Sequence, residues 1–267
     1  MDLVRLFVGF ATSMLLVSCT PPSIAEPPAL LDNQVSTEAL NLGSDPGPVF
    51  TSSIYLTRVE QSVRNAAVKV SDPLEQGHGS GTYLLTYNRY VVITAAHVVE
   101  KHSHMWIEGR NGERVLGRVV HREPKTDLAI ITVPEMETRK AMTYRPRRKA
   151  DIVGEHIVYS GFPGKHDLLT IRGTVAGEKD NYIIAHTYGW FGASGSGVFD
   201  RHGRLIGTVS ALDIGMFYMP QPIEDIIWIS PIWHLNSEMA KAHILSDSSL
   251  PRSFPGAAAP RRGGTRD

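Results

Sequence analysis

The sequence lacks the features of a disulfide-stapled, membrane-spanning or nucleic-acid-binding protein. Its single cysteine, Cys19, excludes an intramolecular disulfide. Its formal net charge at pH 7 is zero, so bulk electrostatics favours no nucleic-acid partner, and we predict none. The N-terminal apolar run, residues 6–17, is too short for a transmembrane helix, which needs about 20 apolar residues. Helix-period patterns are scarce, and 24 glycines with 17 prolines favour short strands joined by turns.

The same apolar run has the length of a signal-peptide core. It ends at Leu16-Val17-Ser18-Cys19, which resembles the lipobox of bacterial lipoproteins. The resemblance implies a signal peptide over residues 1–19 and a Cys19 that carries lipid such as palmitate. The protein would then be anchored to a bacterial membrane in the cell envelope, on its periplasmic face. An ordinary signal peptide would instead give a soluble periplasmic or secreted protein, and an uncleaved anchor is a further alternative. Residues 20–50 are rich in proline and glycine, and we predict a flexible linker.

The remaining chain predicts one β-rich domain over residues 51–245. Residues 52–65 have the apolar spacing of one amphipathic helix, and residues 66–70 look like a first strand. About a dozen strand signals then follow at short spacing, which suggests one or two antiparallel barrels. Residues 232–242 predict a closing helix. Residues 246–267 are rich in proline, glycine, alanine and arginine and predict a disordered basic tail.

Residues 189–200 have the sequence GWFGASGSGVFD. Small residues cluster around Ser194 and are followed at once by a strand signal. A serine hydroxyl becomes a nucleophile only with a base in reach and a carboxylate that orients the base. His97 follows the small residues Thr94-Ala95-Ala96, and Asp127 stands at the start of an apolar run. Taken singly, His97 could be an ordinary packed histidine and Asp127 a strand-capping aspartate. Their order in the chain and the motifs around them must therefore distinguish a catalytic role from these alternatives.

The order His97, Asp127, Ser194 resembles the chymotrypsin-like serine peptidases, and within them the HtrA-type bacterial catalytic domain. The resemblance covers residues 66–235 approximately and implies an all-β fold of two antiparallel six-stranded barrels, with a short N-terminal helix and a C-terminal helix. It further implies a serine endopeptidase that cuts polypeptides through an acyl-enzyme intermediate without a cofactor or metal. The motifs that carry it are Gly79-Ser80-Gly81, Thr94-Ala95-Ala96-His97-Val98-Val99, Thr126-Asp127-Leu128-Ala129, residues 154–164, and residues 192–200 with Gly203 and Ile206-Gly207.

The resemblance assigns roles residue by residue. Ser194 would attack the scissile carbonyl, His97 would serve as general base and acid, and Asp127 would orient His97. The backbone N–H groups of Gly192 and Ser194 would form the oxyanion hole. Ala193 stands where digestive enzymes carry an aspartate that pairs with a newly cut N-terminus, so we expect no activation by that route.

The same resemblance indicates which residues would form the specificity pocket. Tyr188 stands where trypsin-like enzymes carry an aspartate, which argues against a preference for Lys or Arg. Ser210 to Leu212 could pair with the substrate backbone as an added strand, and we expect a small or medium apolar side chain in the pocket. His186 and Tyr188 could alternatively just pack the loop. The residues expected to line the substrate site are His186, Thr187, Tyr188, Ser210, Ala211 and Leu212.

Three alternative functions compete with the peptidase interpretation. An α/β-hydrolase needs Gly-x-Ser-x-Gly, and Ser196 occupies the position of the second glycine. A metal site at His102-Ser103-His104 has no acidic or cysteine partners at ligand spacing. A catalytically silent lipoprotein of the same fold that only binds a partner remains the main competitor. Only about 30 residues follow Leu235, so we expect no PDZ domain, the module that usually follows an HtrA-type protease.

Overall fold

Two β-barrels and two short α-helices make up the regular structure of the computed structural model. It describes residues 56–74, 77–100, 102–216 and 219–248. The α-helices and strands are α1 (Arg58–Ala66), β1 (Ala67–Ser71), β2 (His78–Thr86), β3 (Arg89–Thr94), β4 (His104–Glu108), β5 (Arg114–Glu123), β6 (Leu128–Thr132), β7 (Met142–Thr143), β8 (His156–Gly161), β9 (Leu169–Lys179), β10 (Tyr182–His186), β11 (Gly197–Asp200), β12 (Leu205–Met216), β13 (Pro220–Pro231) and α2 (Ser237–Ser246). Two 3₁₀ turns span Ala96–Val99 and Ile232–His234.

The first barrel consists of β1 to β6 in the order β1-β4-β5-β6-β3-β2, and it closes through antiparallel pairing of β1 with β2. The two-residue β7 adds to β2 in parallel. Strand β6 is buried on both faces and reads as a continuous apolar run ending in a threonine. The interior is filled by Val68, Val70, Tyr83, Val92, Ala96, Val99, Met105, Ile107, Ala129, Ile131, Val133 and Met136.

The second barrel consists of β8 to β13 in the closed order β10-β13-β12-β11-β8-β9. Its strands pair antiparallel throughout. Its interior is filled by Ile152, Ile157, Tyr159, Val175, Ile183, Ala185, Ala193, Val198, Ile206, Val209, Ile227 and Ile229. The two six-stranded antiparallel barrels, with a short helix before and after them, confirm the predicted fold class.

A third apolar cluster joins the barrels to each other and to both helices. Leu84 and Ile93 from the first barrel pack with Phe199 and Leu205 from the second. Val63 of α1 and Ile244 of α2 belong to the same cluster. Because burial of such side chains is worth about 1.5–3 kcal/mol each, this cluster holds the barrels in one fixed relation. The cleft between them is where both barrels can contribute side chains to one site.

Helix α1 starts later than the predicted residue 52, because a capping box defines its N-terminus. The Thr57 hydroxyl accepts from the Glu60 N–H at 3.2 Å, and the Glu60 carboxylate accepts from the Thr57 N–H at 2.7 Å. Thr57 therefore has extended backbone and residue 58 begins the helix. Residues 52–55 of the predicted helix lie outside the described residues. Strand β1 begins at Ala67 and not at the predicted residue 66.

A C-terminal helix is present as predicted, but it does not span residues 232–242. The chain forms a 3₁₀ turn, breaks at Leu235 and Asn236, and begins α2 at Ser237. The Asn236 side chain accepts from the Met239 N–H at 3.1 Å, which is an N-cap that starts a new helix.

No helix in the described ranges is both long and apolar enough to span a lipid bilayer. The predicted signal peptide, its lipidation residue Cys19, the linker and nearly all of the predicted tail lie outside the described residues.

Candidate active site

His97 and Asp127 meet at the end of the first barrel that faces the second. His97 lies on the 3₁₀ turn after β3, and Asp127 directly precedes β6. The His97 Nδ1 lies 3.0 Å from Asp127 Oδ1 and 2.9 Å from Oδ2. The His97 backbone N–H also donates to Asp127 Oδ1 at 3.0 Å. With Nδ1 carrying the proton, Nε2 presents a lone pair that can accept a proton.

Asp127 has the backbone geometry and burial of a positioned carboxylate. Its φ of +52° lies in the left-handed region, which aspartate tolerates better than most residues. Its carbonyl accepts from the Ala96 N–H at 3.2 Å, tying the two segments together. The Asp127 side chain is 12% exposed, whereas the His97 side chain is 47% exposed. The carboxylate is therefore enclosed while the imidazole opens to the cleft.

A third donor to Asp127 comes from the second barrel. The Ser210 hydroxyl on β12 donates to Asp127 Oδ2. Next to it, burial raises the pKa of the Tyr182 hydroxyl, and the Asp127 charge raises this pKa further, whereas a hydrogen bond with Ser210 opposes the shift. Asp127 therefore receives its hydrogen bonds from both barrels, and a polar network extends from it to β10.

Ser194 lies on the loop before β11, and Ser80 of β2 holds this loop. The Ser80 N–H donates to the Ser194 carbonyl at 2.7 Å, and the Ser80 hydroxyl donates to the Gly192 carbonyl at 2.7 Å. The same hydroxyl accepts from the Phe162 N–H at 2.9 Å. Ser80 is fully buried, and both its backbone N–H and its hydroxyl form hydrogen bonds across the space between the barrels.

Gly195 brings the Ser194 loop against the segment that carries His97. It has a φ of +87°, and a methyl group on it would lie 2.1 Å from Thr94 Oγ1 and 2.9 Å from the Ala95 nitrogen. Only glycine permits this approach and this backbone angle. Within the described part of the chain, no hydrogen bond joins the Ser194 hydroxyl to His97. The structure therefore pairs His97 with Asp127 and places Ser194 on a loop packed beside them.

The backbone around Gly192 leaves two N–H groups available. The Phe191 carbonyl accepts from the Gly164 N–H at 2.6 Å. Since the N–H and C=O of a trans peptide point in opposite directions, this bond turns the Gly192 N–H away from Gly164. Among the residues that the structure describes, neither the Gly192 nor the Ser194 N–H donates to a protein acceptor.

Comparison with known proteins agrees with this geometry. The family model of the trypsin-like peptidase domain matches residues 79–207, which include all three candidate residues. These residues are therefore similar to a trypsin-like peptidase domain. No protein of curated function has a significant sequence match to the chain.

Solved structures share the fold of this peptidase domain at low sequence identity. A serine endoprotease from Yersinia pestis is 19% identical with a TM-score of 0.56, over 72% of this chain and 68% of that one. The HtrA-type protease AlgW with tripeptide is 18% identical with a TM-score of 0.58, over 70% of this chain and 62% of that one. Rv3671c from M. tuberculosis H37Rv, an inactive Ser343Ala mutant, is 16% identical with a TM-score of 0.56, over 75% of this chain and 97% of that one. At these identities the likeness concerns the fold alone.

The residues expected to line the substrate site lie in two segments, the chain before the Ser194 loop and strand β12. Thr187 is buried and donates to the Arg172 carbonyl at 2.9 Å, so it supports the loop. His186 is exposed, with Nε2 3.5 Å from an Asp225 carboxylate oxygen. The Tyr188 carbonyl accepts from the Tyr159 hydroxyl. The remaining three, Ser210, Ala211 and Leu212, follow one another on β12.

Two apolar side chains pack closely against Gly189, a contact that the sequence did not single out. A methyl group on Gly189 would lie 2.4 Å from Ile227 Cγ2 and 2.8 Å from Leu212 Cδ2. Phe191 is 68% exposed and contacts Trp190 edge to face. The roles of Ser80 and Ile227 were also missed. The Gly79-Ser80-Gly81 motif marked the position of Ser80, whereas Ile227 has no signal beyond an ordinary apolar strand.

Ala193 is fully buried, and its N–H donates to the Trp190 carbonyl at 3.0 Å. Ser196 is also fully buried, and its hydroxyl has no protein partner among the described residues. A methyl group on Gly161 would lie 2.1 Å from the Ser196 hydroxyl oxygen. Both residues therefore pack beneath the loop that carries Ser194.

Proposed function

We propose that the chain is a serine endopeptidase that hydrolyses peptide bonds through Ser194, His97 and Asp127. The observation that carries the proposal is the hydrogen-bonded His97–Asp127 pair with the Ser194 loop packed against it. The family match supports a polypeptide substrate. No residue in this scheme requires a metal or a cofactor.

In the proposed reaction, His97 Nε2 takes the Ser194 hydroxyl proton as the oxygen attacks the scissile carbonyl. The developing oxyanion accepts from the N–H groups of Gly192 and Ser194, each worth about 2.7–4 kcal/mol of transition-state stabilisation. His97 then gives the proton to the leaving amine, which departs and leaves an acyl-enzyme. A water molecule then attacks the acyl-enzyme, with His97 again as base. His97 returns the proton to Ser194 as the carboxylic acid product is released. Asp127 holds the imidazole and stabilises its charged form.

We propose a small or medium apolar side chain at the residue before the scissile bond. The apolar Leu212 and Ile227 side chains behind Gly189 support this preference. Tyr188 offers no carboxylate to bind a basic side chain. A peptide library with fixed flanking residues would test the preference. Faster cleavage after Lys or Arg than after Ala or Val would refute it.

We also propose that the peptidase is tethered to a membrane through a lipid on Cys19, for protein processing or quality control in the cell envelope. The support is the lipobox-like sequence before Cys19. Mass spectrometry of the protein from its native membrane tests this. The expected result is an acylated Cys19 at the mature N-terminus, and an unmodified terminus elsewhere would refute it.

A catalytically silent binding module is the second candidate, because the Ser194 hydroxyl makes no hydrogen bond to His97 in the described structure. A fluorophosphonate probe discriminates between the two functions, because it labels only activated serines. The peptidase is expected to be labelled, and the label should be lost in Ser194→Ala but retained in the matched control Ser196→Ala. Absence of labelling in a folded wild-type protein would favour the binding module.

A further inference from the structure

Strand β12 carries a free edge that starts beside the Ser194 loop. The Val209 carbonyl accepts from the Gly195 N–H at 2.7 Å, and the Val209 N–H donates to the Ser196 carbonyl at 2.9 Å. Beyond Val209 this edge has no strand partner among the described residues, although β12 continues to Met216. The opposite edge is paired with β13 from Gly207 to Met216, with two irregularities in register.

The outer part of β12 forms a two-stranded arm with β13. Ile214 is opposite Pro222, and Met216 is opposite Pro220. Proline has no N–H and cannot donate to a ladder. These two pairs must therefore be the non-hydrogen-bonded pairs of the antiparallel ladder, in which N–H and C=O point away from the partner strand. The backbone groups of Ile214 and Met216 thus face the free edge of β12.

An independent contact gives the same orientation. The Ile214 N–H donates to the carboxylate of its neighbour Asp213 at 3.0 Å. This carboxylate occupies the place that an acceptor from an added strand would take. Ile214 is 59% exposed in the described structure.

The two edges of the arm are not equivalent. On the β13 side, the prolines at 220 and 222 occupy the outward positions, where a missing N–H prevents strand addition. On the β12 side, the same outward positions carry residues with both a donor and an acceptor. The arm can therefore accept an added strand on the side that continues from the Ser194 loop and not on the other.

We propose that the free edge of β12 beyond Leu212, at Ile214 and Met216, binds the polypeptide substrate as an added antiparallel strand upstream of the scissile bond. This rests on the proposed function and on the sequence-based expectation that Ser210 to Leu212 pair with the residues next to that bond. The third residue before the bond, P3, lies opposite Leu212, and P5 therefore lies opposite Ile214. The P5 carbonyl replaces the Asp213 carboxylate on the Ile214 N–H, and the P5 N–H donates to the Ile214 carbonyl.

The occupant is an extended polypeptide segment, because only a main chain supplies a donor and an acceptor at every second residue. From Leu212 to Met216 the edge measures about 14 Å, at ~3.4 Å per residue, which accommodates substrate residues P3 to P7. The site would therefore select substrates that are long enough and unfolded upstream of the scissile bond. Their amino-acid sequence in that segment would matter little.

The test is fluorescence anisotropy of two labelled peptides with Ser194→Ala protein. Both share residues P3 to P2′, with alanine as the residue before the scissile bond, and one extends to P6. The longer peptide is expected to bind about tenfold more tightly, because two added hydrogen bonds contribute ~0.5–1.5 kcal/mol each. N-methylation of P5 should abolish this gain, whereas N-methylation of P4, whose N–H faces away, should not.

Two variants of the protein locate the effect. Ile214→Pro, which removes a donor that β13 does not use, should bring the affinities of the two peptides together. The matched control Pro222→Ala, on the outer edge, should retain the gain. Equal affinities in the parent protein, no binding of the longer peptide, or equal sensitivity to methylation at P4 and P5 would overturn the proposal. A dimer that Ile214→Pro dissociates, without a length effect, would assign the edge to a second copy.

Wild-type protein and the same unlabelled peptides separate this proposal from the proposed function. Cleavage of both peptides with equal affinity would leave the peptidase intact and remove the extended site. Length-dependent binding without cleavage would retain the site and refute the peptidase.

Discussion

The Ser210 hydroxyl, on the second barrel, donates a hydrogen bond to the carboxylate of Asp127, on the first. Ser210→Ala should lower kcat/KM on an apolar peptide substrate by about 10- to 100-fold, because a hydrogen bond to a charged group contributes ~1.5–3 kcal/mol. Ser210→Thr should restore much of the rate. Ser62→Ala, on the exposed side of α1, is the control. An unchanged rate in Ser210→Ala would show that the bond does not orient Asp127.

Ser80 joins the barrels through three hydrogen bonds at the Ser194 loop. Ser80→Ala removes the hydroxyl and leaves the Gly192 carbonyl and the Phe162 N–H unpaired, at a cost of ~1–3 kcal/mol for each buried group. We expect a lower free energy of unfolding in urea together with a lower kcat, because the Gly192 peptide loses its support. A loss of stability with unchanged kcat would mean that the Gly192 peptide keeps its orientation without Ser80.

Gly195 and Gly112 both have a positive φ, of +87° and +77°, but only Gly195 is enclosed. Gly195→Ala should destabilise the protein by several times more than Gly112→Ala, for which we expect about 1 kcal/mol from backbone strain alone. The additional cost comes from the clash with Thr94 and the Ser80 carbonyl, 2.1 and 2.2 Å from the new methyl group. Thermal unfolding of both variants measures the difference. Similar melting temperatures would show that the loop moves aside at little cost.

Glu60 on α1 pairs with Arg172 on β9, and this hydrogen bond lowers the pKa of the Glu60 carboxyl to about 2. Because the folded pKa lies below the unfolded one, the stabilisation is complete above about pH 4.5 and is lost as the pH falls towards 2. Glu60→Gln should lower Tm at pH 7 by about 2–4 °C, the shift that ~1 kcal/mol gives in a domain of this size. The difference from wild type should shrink between pH 4.5 and pH 2. A difference that stays constant over this range would assign the effect to the helix cap.

Much of the site could be predicted because its chemistry leaves local marks in the sequence. His97 and Asp127 stand in short motifs beside strand signals, and their pairing follows once the first barrel closes. Ser194 stands among the small residues that a tight loop requires. The family resemblance that these motifs carry implied the two barrels as well.

The remaining features depend on contacts between residues far apart in the chain. The donation by Ser210 to Asp127 requires the docking of one barrel on the other, and no pattern near Ser210 records it. The burial of Thr187, whose hydroxyl donates to the Arg172 carbonyl on β9, likewise depends on a contact between distant residues. The break at Asn236 competes with an apolar helix pattern and prevails through a single side-chain cap.

The proposed peptidase site is divided between two segments of the chain that meet only in the tertiary structure. Residues 144–155 connect the barrels, with His97 and Asp127 before this connector and Ser194 and Ser210 after it. A chain cut within the connector would therefore give two fragments, neither able to hydrolyse a peptide by itself. Recovery of hydrolysis on mixing the fragments would report their reassociation, so that turnover becomes a direct gauge of how firmly the two halves adhere.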